Sequence, residues 1–126
     1  MGRELAHRAR ASDALAVARA LRVSYPAWAL VPLFYSAMHL MHARFDADNL
    51  PADQRHPLRH NSQRDVSGNV IKWGTLDVVV IHYPPTISRA YKSLYAASRA
   101  VRYDSAPVPG TGTRFWNDYA VIDQFV

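Results

Sequence analysis

Histidine and arginine are the residues of this chain whose types and spacing could do chemistry. His39 and His42 stand three apart, so they project from one face if their stretch is helical. Arg55, His56, Arg59, His60 and Arg64 crowd a polar stretch, and Arg102 with Tyr103 closes a later amphipathic run. Histidine suits acid and base work because its pKa lies near neutrality. Arginine suits a phosphate, because its charge is fixed and its donors form a planar fork. Together they match metal-free RNA cleavage, which needs a base for the 2′-hydroxyl, an acid for the leaving oxygen and a cation for the phosphate. His60, His39 and Arg102 are the candidate catalytic residues. Arg55, Arg59, Arg64 and Tyr103 are the candidate anion- and nucleic-acid-binding residues. Each has a plainer reading, with His39 a bonded core histidine and Arg102 an ion-pair partner of Asp46 or Asp104. Metal chemistry is the other possibility, since Asp46 follows His42 by a turn. A His-x-x-His pair gives two ligands where a catalytic zinc takes three from the protein. The chain also has no cysteine. No metal or other cofactor is therefore expected. There is no phosphate-binding glycine loop, no Gly-x-Ser-x-Gly elbow and no His-Glu-x-x-His.

These residues must be positioned by the elements around them. The chain has 126 residues, which suits one domain able to bury a real core. Its centre is Ser24–Phe45, uncharged from Tyr25 to Met38 and apolar around nearly the whole circumference. That pattern marks a central helix, predicted over 26–45, with Ser24 as cap, Pro26 just inside and a kink at Pro32. A first helix is predicted over 3–22, with Leu5, Ala11, Leu15, Ala18 and Leu21 as its apolar stripe. Residues 46–69 read as a long basic loop, and a loop of that length inside a compact domain is often functional. Residues 70–83 read as a helix with a weak point at Gly74, because a lone strand at Val78–Ile81 would have no partner. Residues 86–103 form the clearest amphipathic helix. A linker and a short final helix after 113 fill 105–126. The fold expectation is an all-α, up-down bundle of four to five helices without a β-sheet, with the basic loop between its second and third helices.

The formal net charge of +5 favours an anionic partner such as RNA or a nucleotide, although solvated arginines account for it equally well. No apolar run is long enough to span a membrane, and the charged N-terminal residues carry no signal-peptide pattern, so a cytoplasmic protein is expected.

The stretches YPAWALVPLFYSAMHLMHARF, HPLRHNSQRD and YKSLYAASRAVRYD resemble the HEPN superfamily of small prokaryotic helical bundles. The matching positions are His39, the loop His56-Pro57-Leu58-Arg59-His60, and the helix end Ser98-Arg99-Ala100-Val101-Arg102-Tyr103. The resemblance covers about residues 5–104. It implies a helical bundle, frequently a homodimer, tied to RNA or nucleotide biology. Many members are ribonucleases of toxin–antitoxin, phage-defence or CRISPR systems, and others lack nuclease activity and act as accessory or nucleotide-binding modules, so a protein partner such as an antitoxin is among the expectations for this chain. The nuclease branch carries Arg-x(4–6)-His, usually on a helix with a polar residue after the arginine. Arg55 and His60 meet the spacing, but they lie in a proline-containing loop and His56 follows the arginine. The reading therefore leans to a binding module, with a metal-independent RNA endonuclease using His60 and an arginine as the alternative. His39, His60, Arg64 and Arg102 are expected to line one cleft, with Arg55 and Arg59 at its rim. The expected geometry has the second helix and the 86–103 helix parallel, so that the loop covers their shared C-terminal pole.

Overall fold

The computed structural model describes residues 2–103 and 112–126. Its elements are α1 (Gly2–Leu21), α2 (Leu30–Ala47), α3 (Ala52–Arg55), β1 (Gln63–Arg64), β2 (Val70–Lys72), α4 (Thr75–His82), α5 (Pro85–Tyr103) and α6 (Thr113–Phe125). The apolar second segment becomes the helix on which α1, α5 and α6 all pack. Leu30, Leu33, Phe34, Ala37, Met41 and Phe45 of α2 are buried, with Tyr91 and Leu94 of α5 and Ile122 of α6 against them. No helix of the described residues is long and apolar enough to cross a membrane.

α2 starts later than the sequence predicts. Residues 26–29 form turns, and Ala29 is the N-cap, so Ser24 caps nothing. Pro32 thereby falls in the first turn, where the missing N–H costs no intrahelical bond, and the expected kink has no cause. In α1, Ala11 and Ala18 are buried as the stripe requires, but Leu5 is 67% exposed. That turn faces a cavity and not the core.

Helices pack on α2 in both directions. Ser36 Oγ of α2 donates to the Ala11 carbonyl of α1 at 2.7 Å. Since its one proton is used there, the Tyr119 hydroxyl of α6 donates to Ser36 Oγ at 2.8 Å. Three helices are thus joined at one buried hydroxyl. Arg44 Nη1 donates to the Phe125 carbonyl at 2.8 Å, so α6 runs with α2. α5 runs against α2: Tyr83, just before α5, stacks on Phe45 with centroids 5.8 Å apart, and Arg102 at the other end reaches Tyr35. This corrects the expected parallel arrangement. The segment after α2 doubles back before α4 begins, with Thr75 beside His42. α4 therefore runs with α2, and the turn at Pro84–Pro85 reverses α5.

The expected absence of a β-sheet is also corrected. β1 and β2 pair antiparallel within the basic segment. Asp65 Oδ1 accepts from the Ser67 and Asn69 amides, and Gly68 takes φ +88°, which only glycine adopts without strain. The hairpin and the single turn of α3 replace the unbroken loop. Residues 70–83 are not one helix either, since Val70–Lys72 is a strand and only Thr75–His82 is helical. Val78–Ile81 is helical as expected. α5 and α6 lie where the periodicity puts them, and the predicted linker over 105–112 lies outside the described residues except for Gly112.

Candidate functional site

α1, α2, the 56–60 loop, the start of α4 and the end of α5 enclose a cavity of about 690 Å³. Helical spacing supplies most of its wall. Arg3, His7 and Arg10 share a face of α1, His39 and His42 a face of α2, and Tyr95, Arg99 and Arg102 a face of α5. The loop side chains His56, Arg59 and His60 are set by backbone bonds. The Arg59 carbonyl accepts from the Thr75 amide at 2.9 Å and the His60 carbonyl from the Leu76 amide at 3.1 Å. These are first-turn amides of α4 that have no intrahelical acceptor, so the loop caps the helix while the helix fixes the loop. Gly74 lets the two backbones approach, since a Cβ there would collide with the backbone of His60 and Asn61.

The imidazoles are packed together. His7 Nδ1 and His39 Nδ1 lie 3.0 Å apart. His42 is buried, and its Nε2 is 2.8 Å from Thr75 Oγ1. The His60 ring stacks on Tyr95 with centroids 3.4 Å apart. His56 Nε2 lies 3.5 Å from Asp46 Oδ1. Burial is the main cause that lowers every one of these histidines. It takes His7 to about 4, helped by His39 and Arg10. It takes His42 to about 3, helped by His7 and His39, and His60 to about 4, where Asp77 opposes it. His39 and His56 move in the same direction, with Arg10 adding for His39 and Arg3 for His56. The imidazoles are therefore neutral at pH 7, and the positive charge of the cavity is that of its arginines.

Five arginines line the cavity, Arg3, Arg10, Arg59, Arg99 and Arg102, and no carboxylate does among the described residues. Arg102 donates from Nη1 to the Tyr35 hydroxyl at 3.1 Å and from Nε to the Ser98 carbonyl at 3.3 Å. Its guanidinium lies 5.7 Å from the Tyr35 ring centroid and 5.1 Å from that of Tyr103. Asp46 faces His56 and not Arg102, and Asp104 lies outside the described residues.

Of the residues singled out from the sequence, His39, Arg59, His60, Arg102 and Tyr103 line this one cavity. Arg55 and Arg64 do not. Arg55 Nε donates to the Leu50 carbonyl at 2.9 Å. Arg64 belongs to the hairpin, with Nη2 on Asp77 Oδ2 at 2.9 Å and Nη1 on the Gly68 carbonyl at 2.9 Å. The sequence reading missed Arg3, His7, Arg10 and Arg99 as lining residues. A signal existed: His7 precedes Ala11 by one turn and extends the Ala11–Ala18 stripe. Comparison with family models, with curated proteins and with solved structures finds no match. The family resemblance accordingly rests on the motif positions themselves.

Proposed function

We propose that this chain is a HEPN-like binding module that holds RNA or a nucleotide by its phosphates, as a cytoplasmic homodimer. One observation carries the reading: five arginines surround one cavity with no carboxylate in its described wall. Phosphate binding by arginine is sequence-independent and salt-sensitive, and aromatic rings at the mouth offer stacking surfaces for bases. Tyr35 and Tyr103 are 37% and 67% exposed there. The residues that carry the resemblance, His39, His60, Arg102 and Tyr103, line the same cavity. A toxin–antitoxin, phage-defence or CRISPR-type setting, with a protein partner such as an antitoxin, follows from the resemblance alone.

The alternative is a metal-independent endonuclease with His60 and an arginine at the scissile phosphate. Against it, a general base works best with a pKa near the working pH, and burial holds His60 down at about 4. The test is fluorescence anisotropy of a labelled single-stranded RNA with the wild type and an Arg99→Ala/Arg102→Ala variant. Binding that falls with salt and weakens at least tenfold in the variant supports the module. Equal binding by both proteins overturns it. RNA cut by the wild type and left whole by His60→Ala would favour the enzyme.

A further inference from the structure

We infer that His7, His39 and His42 form a site for a divalent transition metal of the zinc type. One ring nitrogen from each lies within 4.8 Å of the other two. Tetrahedral coordination with metal–nitrogen bonds of roughly 2.0–2.1 Å puts ligand nitrogens about 3.3 Å apart. His7 Nδ1 and His39 Nδ1, at 3.0 Å, already stand close to that separation. No gap exceeds 4.8 Å, so none has to close by more than about 1.5 Å, within reach of side-chain rotation.

The backbone holds the cluster together. His39 and His42 are three apart on α2, and His7 comes from antiparallel α1. One turn further along both helices, Ser36 Oγ binds the Ala11 carbonyl at 2.7 Å and fixes their register. His42 has an outer partner as well, its Nε2 lying 2.8 Å from Thr75 Oγ1. An outer partner of this kind is what orients metal-bound histidines.

An imidazole-only set prefers zinc, cobalt, nickel or copper over magnesium or calcium, which favour oxygen. Three histidines leave a fourth position, and all three line the cavity, so that position opens to water or an anion. The cavity arginines oppose a dication. Arg10 acts on His7 and His39 most directly, but Arg3 and Arg10 are both exposed, so solvent and salt screen their charge. Asp46, 3.5 Å from His56, sets a carboxylate at the cluster's edge. The site stands on its own geometry, whether or not the cavity takes RNA.

The test titrates the full, chelator-treated chain with Co²⁺ and reads the visible ligand-field bands of a tetrahedral ion, then displaces it with Zn²⁺. One equivalent is expected to bind. Affinity falls at least about 100-fold in His7→Gln and in His39→Gln, each checked for helix content, and changes less than about threefold in His56→Gln and Arg102→Ala. The absence of tetrahedral bands overturns the site, as does undiminished binding in His7→Gln. Should His39→Gln unfold, His7→Gln decides, because its α1 face looks into the cavity and not the core. Arg102→Ala losing RNA while keeping cobalt separates failure of the anion reading from failure of this one.

Discussion

Arg102 Nη1 donates to the Tyr35 hydroxyl over 3.1 Å, although Arg102 closes α5 and Tyr35 lies near the start of α2. The contact exists because α2 and α5 are antiparallel. It also leaves the guanidinium with neutral partners among the described residues, Tyr35 and the Ser98 carbonyl. The charge is held in place and not neutralised there, which suits an anion site.

Arg102→Ala should therefore act on binding more than on folding. Its hydrogen bond to Tyr35 is exposed, and exposed polar contacts contribute at most about 1 kcal/mol. RNA affinity should fall, and the slope of log K against log salt should drop by about one. Anisotropy titrations over a salt series, paired with thermal melts, check this. A lowered melting temperature with unchanged RNA affinity would make Arg102 purely structural.

The pH dependence of stability should carry the mark of His60. Its folded pKa is lowered by burial to about 4, below its ordinary 6.5. The unfolded chain thus binds the proton more readily. The contribution of His60 is fully present above about pH 6.5 and is lost as pH falls through the folded pKa. Urea midpoints should drop between pH 7 and pH 5 in the wild type and drop less in His60→Asn. Equal pH sensitivity in both proteins would sink the assignment.

The two outcomes of the sequence reading have separate physical causes. The helices of α1, α5 and α6 were legible because burial repeats at helical spacing, as at Ile87, Tyr91 and Leu94. The sequence also points to one cleft for His39, His60, Arg64 and Arg102, but Arg64 lies on the hairpin, and the other three meet through antiparallel helices where parallel ones are expected. Helix direction depends on where the chain re-enters after α2, and that is set by Thr75 beside His42 and by the loop carbonyls on α4. Such long-range backbone bonds leave no periodic trace. The hairpin escaped notice because its strands are short and exposed, so they lack the alternation that marks a half-buried strand. His7 escaped because a lone histidine in an arginine-rich helix looks solvated until α2 is laid against it.

Two glycines should respond differently to alanine. At Gly74 a Cβ meets the backbone of His60 and Asn61, and backbone cannot swing aside. Gly74→Ala should cost more than about 2 kcal/mol and weaken RNA binding, since it pushes the 59–60 loop off α4. At Gly68 nothing lies within 4 Å, and only the φ of +88° resists. Gly68→Ala should cost about 1 kcal/mol and leave binding intact. Denaturant unfolding and anisotropy of both variants check the contrast. Equal losses would mean that the close approach at Gly74 is not what holds the loop.

The homodimer proposed above has a surface suited to it. Val17 and Leu21 of α1, with Trp28, Val31, Pro32 and Tyr35, line an apolar groove in which Asp13 is the one charged residue among the described residues. Trp28 is 54% exposed and Val17 53%. Contiguous exposed apolar patches on small proteins mark contact surfaces. A two-fold contact places the same patch against itself, so Trp28 of one protomer would cover the groove of its partner. Tyr35 lines both this groove and the arginine cavity, so such a contact would bring two cavities side by side. Light scattering at micromolar concentration should give twice the chain mass for the wild type. Trp28→Asp should give the single mass with its circular dichroism unchanged, because Trp28 lies in a turn before α2 and not in the core. A wild-type protein that runs at the single mass would overturn the dimer. An undisturbed dimer in Trp28→Asp would move the contact to another face.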